Sequence, residues 1–131
     1  MSTEQTPPTS NKAMIWAGRV ISAIPVLMLL MSGVMKIAQP PMVVDGMTHL
    51  GWPVGLAVTL GILELACTII YMIPKTAVLG AILLTGYLGG AIATHVRIEE
   101  GFIGPVIFGV LVWLGLFLRD ARLRALIPLR N

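Results

Sequence analysis

The sequence predicts an all-α integral membrane protein, a four-helix bundle with both termini in the cytoplasm. Three observations predict it. Hydrophobic residues make up 56% of the 131 residues and charged residues 11%, against roughly 25% charged residues in soluble domains. Several apolar runs approach the length that crosses a bilayer core, and most basic residues lie at their ends. A soluble chain this short could not bury so much apolar surface.

The composition excludes several classes of protein. The net charge of +3 comes from nine Lys and Arg against six Asp and Glu. Because these basic residues flank apolar runs, they indicate membrane topology and not a nucleic-acid partner. The single cysteine, Cys67, cannot form an intramolecular disulfide, and the chain has no CxxC pair. We therefore expect neither a self-contained dithiol oxidoreductase nor a resident cofactor.

The first predicted elements are a short tail and the first span. Residues 1–12 are polar and include two prolines, which is typical of a disordered tail. Residues 13–37 predict the first transmembrane helix, with Pro25 as a kink. A signal peptide is the alternative for this run, but signal peptides have apolar segments of only ~7–15 residues and no clear cleavage site follows.

Three more spans complete a predicted transmembrane domain over residues 13–118. The connection of residues 39–52 predicts a short interfacial helix, with Trp52 as an anchor at headgroup level. Pro53 and Pro74 bracket the second span, at about 53–73. The third span is predicted at about 76–96 and the fourth at about 102–118, which is short against the usual ~20 residues. Residues 119–131 predict a basic cytoplasmic tail.

Basic residues set the predicted orientation. Two of them, Lys36 and Arg97, fall on one side of the membrane, and the others on the opposite side: Lys12, Arg19, Lys75, Arg119, Arg122, Arg124 and Arg130. Since cytoplasmic flanks carry an excess of Lys and Arg, both termini are predicted to be cytoplasmic. An even number of spans independently requires both termini to lie on the same side of the membrane.

The third span carries a ridge of small residues. Small residues at four-residue spacing let helix backbones approach closely in a bilayer. We therefore expect another helix to pack on the ridge formed by Ala81, Thr85, Gly86, Gly89, Gly90 and Ala93. No strand precedes the glycine pair, so a phosphate-binding loop is not indicated.

Two charged residues fall within apolar runs. An acidic side chain near the middle of a span, such as Glu64, costs a few kcal/mol and rarely faces lipid. We expect its face, with Thr68 and Tyr71 at i+4 and i+7, to turn inward. Arg19 lies at a neighbouring predicted depth, so the sequence predicts an Arg19–Glu64 pair, with the Tyr87 hydroxyl nearby. The alternative is that Arg19 extends to the headgroups and Glu64 is protonated.

A second polar cluster is predicted at the outer ends of the spans. Lys36, His95 and Arg97 would line a pocket for an anionic or quinone-like headgroup. Asp45 and His49 lie nearby, but their spacing is incomplete for a metal centre, and we expect no metal site. The full set of predicted ligand-binding residues is Arg19, Lys36, Glu64, Tyr87, His95 and Arg97.

Five segments together resemble the DoxX-like family of small bacterial four-helix membrane proteins. They are Ser32-Gly-Val-Met-Lys36, Leu60-Gly-Ile-Leu-Glu-Leu65, the block from Leu79 to Arg97, the block from Val112 to Asp120, and Leu126-Ile-Pro128. The resemblance implies a four-helix fold in the bacterial inner membrane. Lys36, Glu64, His95 and Arg97 match the polar positions of the family pattern.

The resemblance implies only a loose functional association with membrane redox and stress-response systems. We expect an accessory subunit or a component that binds a quinone-like ligand, with the lipid bilayer, a redox partner subunit or a homo-oligomer as partners. The alternative is a small intramembrane enzyme, in which Glu64 or His95 supplies acid–base chemistry to a quinone, sterol or terpenoid. A transporter is a third option, and it would have to oligomerise to form a path.

Overall fold

Residues 11–129 are described in the structure, a computed structural model, and their regular secondary structure is entirely helical. The all-α prediction is therefore confirmed. In chain order the elements are α1 (Lys12–Ala38), α2 (Pro41–Leu50), α3 (Leu56–Met72), a 3₁₀ turn (Pro74–Thr76), α4 (Ala77–Arg97), α5 (Ile103–Arg119) and α6 (Ala121–Arg124).

Local chemistry fixes where the helices begin. The side chain of Asn11 accepts the backbone N–H of Met14 at 2.8 Å and so caps α1. Lys12 therefore belongs to α1 and not to the predicted tail, of which residues 1–10 lie outside the described range. Helix α3 begins at Leu56, three residues after Pro53, because the carbonyl of Pro53 first closes a turn with the Leu56 N–H at 3.0 Å.

The four long helices contact one another in cyclic order. Helix α1 packs against α3 and α5, and α4 packs against the same two helices. Their shared interior holds buried side chains from all four of them, including Leu29, Tyr71, Leu84 and Leu116. The two ends of this arrangement place the polar groups described below.

Glycines allow close contacts between α1 and its two neighbouring helices. A Cβ on Gly61 of α3 would lie 2.7 Å from the Gly33 carbonyl oxygen, and a Cβ on Gly18 would lie 2.6 Å from the Gly115 carbonyl oxygen. Both distances are too short for a side chain. The C-terminal part of α1 thus lies close to α3, and the N-terminal part of α1 lies close to α5. These two contacts fix the register of the three helices.

The predicted ridge of small residues on α4 is packed at one end. Ala81 is fully buried. Nothing lies within 4 Å of a Cβ built on Gly86, Gly89 or Gly90, and Ala93 is exposed. The expectation that another helix covers this ridge therefore fails within residues 11–129. The small residues instead leave space on either side of α4.

The outer surface of the helices is apolar, while buried polar groups lie inside. Leu27 is 67% exposed, and Ile62 and Val110 are each 57% exposed. Helix α1 and the segment Pro74–Arg97 are long and apolar enough to cross a membrane. Helices α3 and α5 have 17 residues each, which is about 25 Å of helix and the lower limit for a span.

The C-terminal segment is partly folded onto the helices. Asp120 accepts the backbone N–H groups of Arg122 and Leu123 and so caps α6. Leu123 is buried in the core cluster. The predicted tail of residues 119–131 is therefore ordered over most of its length, and residues 130–131 lie outside the described range.

Candidate functional site

Glu64 lies at the centre of α3 and is 2% exposed. Thr68 and Tyr71 are buried on the same face, so the predicted inward stripe is confirmed. The Thr68 hydroxyl donates to the backbone carbonyl of Glu64 at 2.7 Å. This bond uses the backbone carbonyl of Glu64, so the partners of its side-chain carboxyl group come from other residues.

The carboxyl group of Glu64 is paired with Lys36 on α1. The distance from Lys36 Nζ to Glu64 Oε1 is 2.9 Å, and the Lys36 side chain is 22% exposed. Lys36 also donates to the Ser32 hydroxyl at 2.9 Å, and that hydroxyl donates to Glu64 Oε1 at 3.4 Å. The predicted Arg19–Glu64 pair is therefore wrong.

The direction of helical side chains explains why Lys36 is the partner. The Cα–Cβ bonds of a helix tilt toward its N-terminus. Lys36, near the C-terminal end of α1, therefore extends back toward the middle of the helices, whereas Arg19 extends toward the start of α1. The Gly33–Gly61 contact brings the two backbones close enough for the pair, with a Cβ on Gly61 only 3.0 Å from Lys36 Cβ.

The second carboxyl oxygen, Glu64 Oε2, is buried without a hydrogen-bond partner among the described residues. It faces Gly33, where a Cβ would lie 3.1 Å away. Tyr87 completes the surroundings: its hydroxyl lies within electrostatic reach of the carboxyl group, and its ring centre is 5.8 Å from Lys36 Nζ. Lys36 is thus the charge that compensates for the burial of Glu64.

A cavity of about 340 Å³ opens beside this pair, between α2, α3 and α4. We call it the Lys36 cavity. Its polar lining consists of Lys36, Tyr87, Thr94 and His95. Its remaining lining is apolar or small and consists of Met47, Leu50, Trp52, Leu60, Leu63, Gly86, Gly90 and Ala91. The space left by the small residues of α4 is therefore part of this cavity.

The polar lining of the Lys36 cavity offers both a donor and an acceptor. His95 Nδ1 lies 2.7 Å from the carbonyl oxygen of Ala91. A carbonyl can only accept, so Nδ1 carries the hydrogen, and Nε2 of the neutral ring is an acceptor. Lys36 has three N–H donors, of which Ser32 and Glu64 take two. One Lys36 N–H remains without a hydrogen-bond partner among the described residues, whereas the Tyr87 hydroxyl is already directed at the Glu64 carboxyl group.

Arg97 has a different role from the predicted one. It does not line the Lys36 cavity but donates to the backbone carbonyl of Leu50 at the end of α2. On the same side, His49 of α2 contacts the Glu100 carboxylate. Both contacts hold α2 over the cavity. Among residues 11–129 there is no group of three or more His, Cys, Asp or Glu side chains placed to hold a metal ion.

Arg19 lies at the opposite end of the helices. Its guanidinium stacks over the Trp16 ring, 5.2 Å from the centroid. It lines a separate cavity of about 200 Å³ together with Ser22, Tyr71 and Arg119. The predicted set of ligand-binding residues is therefore split: Lys36, Tyr87 and His95 line one cavity, Glu64 is the buried partner of Lys36, and Arg19 and Arg97 lie elsewhere.

Sequence reasoning missed the hydroxyl groups that complete both sites. Ser32 and Lys36 are four residues apart and so share a face of α1, a signal that pointed to their contact. Ser22 carried no comparable signal, because its partners come from α3 and α5. Arg119 was recognised only as a charge at the end of a span.

Residues 20–115 match the model of the DoxX-like family. The chain belongs to the DoxX-like family. The matched region contains the Lys36 cavity and the Lys36–Glu64 pair, and it covers most of the four long helices. No curated protein and no solved structure matches the chain. Family membership and the apolar helices together indicate that this DoxX-like protein is a small membrane protein.

Proposed function

We propose that this DoxX-like protein binds a lipophilic small molecule with a hydrogen-bonding head, such as a quinone, in the Lys36 cavity. It would act as an accessory component of a membrane redox or stress-response system. The observation that carries the proposal is a cavity of about 340 Å³ with mostly apolar walls and four polar residues, Lys36, Tyr87, Thr94 and His95. Ligand sites typically combine apolar walls with a few such polar groups.

The polar lining favours a head with both an acceptor and a donor. A quinone carbonyl would accept from Lys36, and a quinol hydroxyl would donate to His95 Nε2. The Lys36–Glu64 pair leaves little net charge beside the ligand. A neutral ring is therefore favoured over a strongly charged head, because an ion would need compensation that the pair has already used.

We further propose that the protein spans the bacterial inner membrane four times, with both termini in the cytoplasm. The described basic residues at the end that holds the start of α1 support this orientation: Lys12, Arg19, Lys75, Arg119, Arg122 and Arg124. A redox partner subunit and a homo-oligomer remain predictions.

The enzyme alternative has weaker support. Of the two candidate residues for acid–base chemistry, Glu64 or His95, only His95 lines the cavity. Glu64 would have to act through Lys36, which lies between the carboxyl group and the cavity.

Binding of a short-chain quinone to the purified protein tests the proposal. Gly90 lines the Lys36 cavity and Gly89 lines the apolar groove between α4 and α5, and a Cβ on either meets no atom within 4 Å. We expect Gly90→Leu to fill the cavity and weaken quinone binding at least tenfold. Gly89→Leu is the matched control and should bind as the unmodified protein does.

The readout is quenching of tryptophan fluorescence by ubiquinone-1 in mild detergent, because Trp52 lines the cavity. Equal quenching of both variants and the unmodified protein would refute binding at this site. His95→Ala is the second variant, and we expect it to weaken binding of the quinol more than binding of the quinone, since it removes an acceptor.

A further inference from the structure

The end of the molecule opposite the Lys36 cavity holds two arginines around one small cavity. Arg19 and Arg119 both line this cavity of about 200 Å³, which we call the diarginine pocket. Its remaining lining consists of Ser22, Ala23, Val26, Tyr71 and Met72. It lies apart from the site of the proposed function, and no residue is common to the two cavities.

Arg119 is held in place by buried hydroxyl groups. Its Nε donates to the Ser22 hydroxyl at 3.4 Å, and its guanidinium lies 5.3 Å from the centroid of the Tyr71 ring. Tyr71 donates to the Val112 carbonyl at 2.7 Å, so Ser22 must donate to the Tyr71 oxygen at 2.9 Å. Every hydroxyl hydrogen of this chain of bonds is used. The terminal N–H groups of Arg119 donate no hydrogen bond to residues 11–129 and are therefore free to bind a ligand.

The two guanidinium groups have no carboxylate partner among residues 11–129. Both salt bridges of this part of the chain, Lys36–Glu64 and His49–Glu100, involve other residues. Asp120 is next to Arg119 in sequence, but one of its carboxylate oxygens accepts the first N–H groups of α6. The pocket therefore combines two positive charges with buried hydroxyl groups and no described negative charge.

We propose that the diarginine pocket binds a phosphate ester, supplied by the headgroup of an anionic phospholipid. A planar guanidinium group can donate two parallel hydrogen bonds to two oxygens of one phosphate group. Ala23, Val26 and Met72 form an apolar wall, and Met72 is 51% exposed on the apolar outer surface of the helices. A phosphate held between the arginines would leave its acyl chains along that surface. This wall favours a lipid over a soluble phosphate ester as the source.

Titration of the full-length protein in mild detergent with short-chain phosphatidylglycerol tests the proposal, with binding measured by native mass spectrometry. We expect Arg19→Gln combined with Arg119→Gln to weaken binding at least tenfold. The matched control is Lys12→Gln combined with Lys75→Gln, which removes the same charge from exposed residues at the same end and should change binding less than twofold. Equal losses in the two double variants would overturn the proposal, because they would show attraction by net charge alone.

Two further measurements separate the sources of phosphate and guard against misfolding. Inorganic phosphate and glycerol 3-phosphate should compete at least a hundredfold less effectively than the lipid, and effective competition would overturn the lipid assignment in favour of a soluble ester. Arg19→Gln alone changes an exposed side chain and should keep the fold. It should weaken lipid binding at least threefold, and unchanged binding would contradict the proposal.

Discussion

The two ends of the molecule hold their charged groups in different ways. At one end, the Glu64 carboxylate is buried and the Lys36 ammonium compensates for it at 2.9 Å. At the other end, Arg19 and Arg119 line one pocket without a carboxylate partner among the described residues. The charge of the first site is compensated by another charge of the fold, whereas the two charges of the second have no counter-charge among residues 11–129. A buried charge must be paired within the fold. A charge near a helix end can instead reach the membrane surface and be compensated by a lipid headgroup.

The largest expected effect comes from breaking the pair. Lys36→Met leaves the Glu64 carboxyl group buried without its partner, and loss of one member of a buried pair costs roughly 3–5 kcal/mol. Protonation of Glu64 will reduce this cost. We expect a clear loss of thermal stability in mild detergent, and the double variant Lys36→Met with Glu64→Gln should recover much of it.

Lys75→Met serves as the control for this variant, because Lys75 is exposed in the 3₁₀ turn. Its melting temperature should stay close to that of the unmodified protein. If Lys36→Met and Lys75→Met have the same melting temperature, the Lys36–Glu64 pair contributes nothing to stability. The proposed difference between the two ends of the molecule would then be wrong.

An intermediate effect should come from the helix contact that sets the register of the pair. A Cβ on Gly61 would lie 2.7 Å from the Gly33 carbonyl oxygen, while a Cβ on Gly86 meets nothing within 4 Å. Overpacking costs typically 1–3 kcal/mol, so Gly61→Ala should destabilise the protein by about that amount. Gly86→Ala should leave the free energy of unfolding unchanged or slightly raised, since alanine favours the helix over glycine.

Chemical denaturation of both variants in the same detergent gives this comparison directly. Equal free energies of unfolding for Gly61→Ala and Gly86→Ala would mean that the close approach of α1 and α3 is not required. The position of Lys36 against Glu64 would then need another explanation.

The smallest effect is expected at the diarginine pocket. Tyr71→Phe removes the hydroxyl that donates to the Val112 carbonyl at 2.7 Å and accepts from Ser22. Hydrogen bonds contribute about 1 kcal/mol each, and a buried group left without a partner costs about 1–3 kcal/mol. We expect a loss of about 1–2 kcal/mol by chemical denaturation. Ser22→Ala should cost less, because Tyr71 still donates to Val112, and the reverse order would contradict this chain of bonds.

Much of the architecture could be predicted from the sequence. The apolar runs indicated the four long helices, and α1 and α4 lie within one residue of the spans predicted at 13–37 and 76–96. The stripe of Glu64, Thr68 and Tyr71 was predicted to face inward and is buried. These features follow from the hydropathy and the periodicity of each helix taken alone, and both can be read from one sequence.

The partners of these residues could not be predicted in the same way. Depth along the predicted spans suggested Arg19 for Glu64, but the tilt of side chains on α1 and the Gly33–Gly61 contact select Lys36. The ridge on α4 had the pattern of a packing surface, yet its glycines line open space. Several helix faces consist of small residues, and which of them packs against a neighbouring helix depends on the packing of all the helices together.

The sequence by itself determined that this protein is helical and apolar, and that the face of α3 with Glu64, Thr68 and Tyr71 turns inward. Those properties follow from residue chemistry and from the 3.6-residue repeat. Only the tertiary structure decided that Lys36 neutralises Glu64, that Tyr87 and not Arg97 joins Lys36 and His95 in one cavity, and that Arg19 and Arg119 form a second pocket. These outcomes depend on the register between helices, which is set by glycine contacts between residues far apart in the chain.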